Sequence, residues 1–580
     1  DYVVRALNDD TPYDSFVLEQ IAGDEIAPHD PDALIATGYL RHYIFEYNQR
    51  DARTQWRDIL NDVTDTTADV FLGMGLRCDR CLDHKFDPLL HNDYYRLQAF
   101  FAAMLPRDDV PAATPEETRE HDRQLAEWEA KTAEIRRQIE EIRAPHLAKA
   151  ERTAVEKFPQ DIQAIWNMPA EERSPLEIQL ADLIHRQVVE EQEKIKPKGE
   201  DEERLKELEK QLAEFDHLKP KPLPSAQTVS DVGPTAPVVL VPGQRNAEPI
   251  APGFLTVLEP GPADVDAPAD STGRRTALAR WIASPDNPLS TRVIVNRVWQ
   301  HHFGRGIVAT PSDFGRLGEE PSHPDLLDWL TSRFLENGWR LKPLHRLIMT
   351  SATYRQSAES SGNAEFGVRN AELKNIPHSE HSALRTPNST LSSPTPHSAF
   401  RTPHSLDPDN RLLGRWVVRR LDAEQIRDAV LSVTGELDPK TGGPSVDHSV
   451  PRRTVYAKVI RNDHDPLLEA FDAPGRITSR SDRNVTTSST QALLMINGPW
   501  LLARAKALAA RLGRSGETDA DRITLAFRLC YGRVPTPQEL LTAEAFLSGQ
   551  SARIGPADRT EALTDFCHVL LNSNEFLYVD

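Results

Sequence analysis

Apolar residues recur at three-to-four spacing through most of the chain, and the places where that spacing breaks divide it into regions. Residues 1–105 carry three such segments. PYDSFVLEQIAGDEI predicts a helix capped at Asp14 or Ser15, DVTDTTADVFLGMGL a second, and NDYYRLQAFFAAM an aromatic-rich third. Residues 115–218 are dense in Glu, Lys, Arg, Gln and Ala, with narrow stripes at Leu125, Trp128, Ile135, Ile139 and Ile142, and at Leu205, Leu208, Leu212 and Phe215. Two polar helices with such stripes predict a protruding antiparallel coiled-coil hairpin whose charged face is solvated.

From 219 to 270 prolines break any helix, and PVVLV predicts a small strand pair in a linker. Helical periodicity resumes over 272–575, with the single strand-like run RRTVYAKVI at 452–460 and a cap at Ser488 or Ser489. Within it, a tract of Ser, Thr, Pro, His and Asn at 358–406 repeats HSALRTPN as HSAFRTPH; it lacks the apolar surface to order itself and reads as a disordered insert. The expected fold class is therefore mainly α and multidomain: helical domains joined by a coiled-coil hairpin and a small β-containing linker.

Length and composition sharpen this picture. At 580 residues the chain is too long for one core, and a net charge of −20 argues against a non-specific nucleic-acid binder. No run approaches the ~18 apolar residues of a membrane span. The chain begins at Asp1 in mid-pattern, without Met or a leader, and reads as a fragment or processed form. Four cysteines do not make a disulfide framework. Cys530 and Cys567 lie in apolar helical patterns as small buried hydrophobes, with a disulfide as the alternative.

The other two cysteines carry the candidate chemistry. Cys78, Cys81 and His84 stand one turn apart on a helix, where two thiolates and an imidazole can hold zinc or iron, Asp87 or His91 completing the set. A CxxC disulfide or redox pair, or purely structural cysteines, fit the same residues. Covalent haem c needs histidine directly after the second cysteine, and that position is Leu82.

A second cluster runs from 292 to 330, where a helix ends near Gly304 and a Gly- and Pro-rich loop follows. If this region forms a catalytic cleft, His301, His302 or His323 is the acid–base residue and Asp313 its orienting carboxylate, with Arg297, Arg305 and Arg316 as anion clamps. The competing expectation is that these groups bond to one another and to the backbone, fixing an irregular loop. A third cluster places Arg476 and Arg483 before a helix N-terminus, which suits an anion; structural ion pairing suits it too. No GxGxxG, P-loop, GxSxG or HExxH stands in a supporting context.

The motifs CDRCLDHKFDP with DYYRLQAFF, NPLSTRVIVNRVWQHHFGRGIVATPSDFG with HPDLLDWL and LHRLIMTSATYRQS, and RRLDAEQIRDAV with RNVTTSSTQALLMINGP resemble the planctomycete cytochrome-c-associated proteins, which pair domains of unknown function 1549 and 1553. The first domain would cover residues 1–105, cut at its start, and the second residues 272–575. The resemblance implies a periplasmic, cell-envelope or secreted protein, encoded beside sulfatase-like proteins that are candidate partners, and acting on complex polysaccharide; the arginine- and histidine-rich cluster makes an anionic sugar the expected ligand. It supplies no established reaction. The family form of the cysteine motif is CxxCHDHKFDP, which Cys78, Cys81 and His84 match and Leu82 does not. A scaffolding envelope protein with a CxxC disulfide and haem-linked electron transfer are the alternative expectations.

Overall fold

The computed structural model describes residues 1–46, 49–243, 248–358, 407–475, 477, 479–554 and 559–579. Apart from Ala358, the insert expected at 358–406 lies outside them. The chain is mainly α-helical, and the ladders among the described residues are two-stranded antiparallel sheets. No described helix is long and apolar enough to cross a membrane. The chain forms two compact units, one of Tyr2–Val298 and Ile307–Leu344, the other of Asp1, Trp299–Gly306 and His345–Asp580.

In the first unit the helix Tyr13–Ile26 buries Val17 and Ile21 completely and packs on the helices Pro31–Ala36 and Arg274–Ile282. Its N-cap is Pro12, and Asp14 instead accepts from the amide of Ser15, so neither expected residue caps it. The third expected helix is shorter than its apolar pattern. It spans His91–Gln98, and the chain then turns through the buried Phe100 and Phe101 into the strand Met104–Pro111.

That strand pairs with Ser225–Asp231, from Met104 opposite Asp231 to Pro111 opposite Ser225. The small sheet thus forms between the first helical region and the start of the Pro-rich segment. In PVVLV only Val239 makes a bridge, to Ile250. Pro237 and Pro242 flank that run and withhold backbone donors, whereas Thr228 and Val229 turn their side chains into the core.

The helix Pro115–Val155 starts on a reciprocal cap between Thr114 and Glu117. Its stripe Ile135, Ile139 and Ile142 packs on Leu205, Leu208 and Leu212 of the helix Glu200–Ala213. The contacts run in opposite directions along the chain: His146 meets Asp201, and Trp128 lies under Lys219. A further helix, Pro175–Glu193, packs on the same long helix, and its Gln179 donates to the carbonyls of Ala102 and Met104.

The second unit is built on one apolar core that includes Ile426, Val430, Leu508, Leu512, Ile523, Cys567 and Leu571. The run RRTVYAKVI is not a strand; Thr454–Tyr456 is a 3-10 turn with isolated bridges around it. Arg427 holds the start of this run, its guanidinium donating to the carbonyl of Arg452 within it and to those of His448 and Val450 just before it, at 2.7–2.9 Å. Ser488 caps the helix Ser489–Asn497 reciprocally with Gln491, as expected.

Candidate functional site

The cysteine motif does not lie on an α-helix. After the helix Ala52–Thr67 the chain makes a π turn over Ala68–Leu72, reverses at Gly73 (φ 60°), and forms a 3-10 turn over Leu76–Arg80 with Cys81 as its flanking residue. A 3-10 turn repeats every three residues. Leu76 and Asp79 accordingly face inward, both fully buried, while Cys78 and Cys81 face solvent.

His84 falls beyond this turn, in a loop closed by its own amide to the carbonyl of Leu89 at 2.9 Å. Its Nδ1 accepts the amide of Asp87 at 3.0 Å and lies 3.0 Å from that carboxylate. The expected alignment of Cys78, Cys81 and His84 on one helical face is therefore corrected, because the turn ends at Cys81 and His84 lies in the loop beyond it. Among the described residues no group of three or more His, Cys, Asp or Glu side chains is placed to hold a metal ion. The position that would carry an axial histidine for haem c holds the exposed Leu82. All four cysteines are free thiols.

The residue that sequence reasoning passed over here is Asp79. Neither of its carboxylate oxygens has a hydrogen-bond partner, and burial pushes its pKa up to about 6, with Asp87, Asp93 and Asp83 adding to the rise and His84 opposing it. The signal for it was a period of three, Leu76 to Asp79, inside a motif read for its cysteines. Beside it, Arg80 donates to Asp65 at 2.5 Å, and its carbonyl accepts from the Tyr95 hydroxyl at 2.9 Å.

The loop ends at Asp87, whose Oδ1 accepts the amide of Arg316 at 2.7 Å. Asp87, Leu89, Leu255, Leu258, Phe314 and Arg316 are among the residues lining an open, mostly apolar groove of about 330 Å³. Arg316 thus reaches a groove, as an anion clamp would, but the groove holds no candidate histidine.

The second cluster is divided between the two units. Arg297 belongs to the first unit and is spent on structure: it donates to the carbonyl of Asp69 at 2.8 Å and to Ser312 at 3.1 Å. Burial lowers its pKa, which runs against a free anion clamp. Asp313 accepts the amide of Gly315 at 2.9 Å, closing its own turn, and His323 stands at the N-cap of the helix Pro324–Glu336 with Nδ1 3.0 Å from Ser322 Oγ.

In the second unit, His302 pairs with His345, Nε2 to Nδ1 at 2.7 Å. Tyr354 meets His302 edge-on and also packs on Phe303 and Trp416. Burial lowers the His302 pKa to about 4, with His345, Arg419 and His301 adding to the fall. His301 and Arg305 are exposed in the same unit. His302 and Asp313, offered as an acid–base residue and its orienting carboxylate, each have a hydrogen-bond partner within their own unit.

Of the third cluster, Arg476 lies outside the described residues. Arg483 donates to both oxygens of Glu424, at 2.5 and 3.0 Å, so ion pairing governs it. The pair sits on the wall of an open groove of about 790 Å³ in the second unit. Asp422, Glu424, Asp428, His448 and Arg453 are among its polar lining residues, and Leu468, Ala473 and Pro474 among its apolar ones. Asp428 accepts from both the amide and the hydroxyl of Thr454, at 2.8 and 2.6 Å. Asp422, Glu424 and Asp428 converge because they occupy the cap and first turns of the helix Ala423–Thr434.

Two helical units, with a polar groove in the second, define a mainly α multidomain protein. Residues 1–105 match PSCyt2, a protein of unknown function (DUF1549), and residues 274–385 and 395–547 match PSD1, a protein of unknown function (DUF1553). The chain belongs to the family that pairs these two domains. No curated protein and no solved structure matches it.

Proposed function

We propose that the chain is a polysaccharide-handling protein of the cell envelope or exterior, and that it binds its sugar chain in the groove beside Arg483. The observation that carries this reading is the fixed pair of Arg483 and Glu424 on the wall of a groove whose opposite character is apolar. A sugar ring presents hydroxyls along its edge and C–H groups on its faces. It is recognised by pre-positioned carboxylate and guanidinium groups together with apolar surface, in a space of roughly 300–1,000 Å³. The groove has that size and those two kinds of wall.

Its charge refines the ligand. Asp422, Glu424 and Asp428 outnumber Arg453 and Arg483, and the whole chain carries −20, so a neutral or amino-bearing sugar suits the groove better than the anionic polymer expected from the arginine- and histidine-rich cluster. Binding, not cleavage, is the activity assigned, since the histidines proposed as catalytic have other partners.

Titration of the full chain with neutral, amino-bearing and sulfated oligosaccharides tests this. Neutral or amino-bearing chains should bind, and Arg483→Ala should weaken them about tenfold or more, by loss of charge-assisted hydrogen bonds worth about 1.5–3 kcal/mol. Equal affinity in Arg483→Ala and the unaltered protein, or binding of sulfated chains alone, overturns it.

A further inference from the structure

We propose that Cys78 and Cys81 form a redox-active dithiol that reduces disulfides by exchange, a site independent of the groove reading. Both thiols are free and exposed, while Leu76 and Asp79 of the same turn are buried. In 3-10 geometry residues three apart eclipse, and a rise of about 2.0 Å per residue sets their Cα atoms roughly 6 Å apart. That spacing lies inside the range of about 4.4–6.8 Å that a disulfide spans, so the bond can close without moving the flanking elements.

The middle of the turn is held in place. Between the two cysteines the Arg80 carbonyl accepts from Tyr95 Oη at 2.9 Å and lies 3.0 Å from His91 Nε2, while the Arg80 side chain is anchored on Asp65 and stacks over Tyr94. A turn pinned at its centre keeps the second thiol beside the first, which favours the intramolecular step over capture of a second outside thiol. Cys530 and Cys567 supply the internal contrast. Both are shielded, and burial pushes the Cys530 thiol up to about 12 and the Cys567 thiol higher, so they stay protonated and unreactive.

The exchange balances as follows. One cysteine, as thiolate, attacks a sulfur of the substrate disulfide RSSR, forming a mixed disulfide and expelling RS⁻, which takes up a proton equivalent to the one lost by the attacking thiol. The second cysteine, likewise deprotonated, attacks the protein sulfur of the mixed disulfide, closing the Cys78–Cys81 bond and expelling the second RS⁻, which is protonated in turn. Two electrons pass from the dithiol to the substrate, giving two RSH and one protein disulfide.

The reduced full-length chain, treated with oxidised glutathione, then alkylated and mapped by mass spectrometry, tests the assignment. The expected result is joint loss of two of the four thiols in a linked Cys78–Cys81 peptide, with no glutathione retained. Cys78→Ser and Cys81→Ser, isosteric changes at exposed positions, should each trap one glutathione as a stable mixed disulfide, and Cys530→Ser should behave as the unaltered protein. Retention of glutathione on Cys78 or Cys81 in the unaltered protein overturns the proposal, as does survival of both thiols after prolonged treatment.

Discussion

Arg275 is wholly buried and grips Asp24 through two parallel hydrogen bonds, of 2.6 and 2.7 Å. The same guanidinium lies 3.1 Å from Asp231 and 3.4 Å from Glu25, so one cation serves three buried carboxylates on the helix Tyr13–Ile26 and the strand Ser225–Asp231. Glu25 is held above the usual carboxylate range by burial, which the guanidinium opposes, whereas Arg275 and the Thr272 bonds overcome burial and hold Asp231 below it.

Arg275→Ala leaves these carboxylates buried without their cation. A loss of about 3–5 kcal/mol is expected, read as a fall in the urea midpoint of the first unit. Arg275→Lys keeps the charge but not the paired geometry, and should fall between the two. An unchanged midpoint for Arg275→Ala would remove this ion cluster from the account of stability.

Asp79 and Asp69 are both pushed up to about 6 by burial. For a carboxyl raised on folding, the native state holds its proton after the unfolded chain has lost it, so stability falls as pH rises from about 4 to about 6 and then levels. Asp79→Asn should be more stable than the unaltered protein above pH 6, with the advantage fading toward pH 4. Urea unfolding at a series of pH values checks it; an advantage independent of pH would contradict the buried, charged state.

His302 has the opposite slope. Its pKa, lowered by burial to about 4, keeps the imidazole neutral in the folded state while the unfolded chain takes a proton near 6.5. Stability is therefore expected to decline as pH falls from about 6.5 to 4. His302→Gln should flatten that part of the curve. Proton NMR of the imidazole, showing titration near 6.5 in the folded protein, would refute it.

Gly73 has φ of 60°, and a Cβ there would lie 2.8 Å from Val293 Cγ2 and 2.9 Å from a Phe314 ring carbon. Gly73→Ala adds left-handed strain to a steric clash, and a cost of about 1–3 kcal/mol is expected. Val293→Ala in the same chain should recover part of it. No recovery would place the cost in the backbone alone.

The helical character of the chain was legible because periodicity is local: the stripes of Ile135, Ile139 and Ile142 and of Leu205, Leu208 and Leu212 meet as their spacing implied. So was the cap at Ser488, which needs only Gln491 three residues on. Misreadings fell where distant groups compete for a segment. Arg427 takes the carbonyl of Arg452 at the start of a run with strong β propensity, and Ser225–Asp231 draws the end of an apolar helical pattern into a sheet.

By itself, then, the sequence determined the helical class, the apolar faces and the residue types available for chemistry, since these depend on neighbours a few positions apart. Only tertiary structure decided which of those residues meet. His302 found His345, Arg483 found Glu424, and a 3-10 turn turned Asp79 inward and two thiols outward. The physical reason is that burial and pairing are settled by groups far apart in the chain, whose approach no local spacing records.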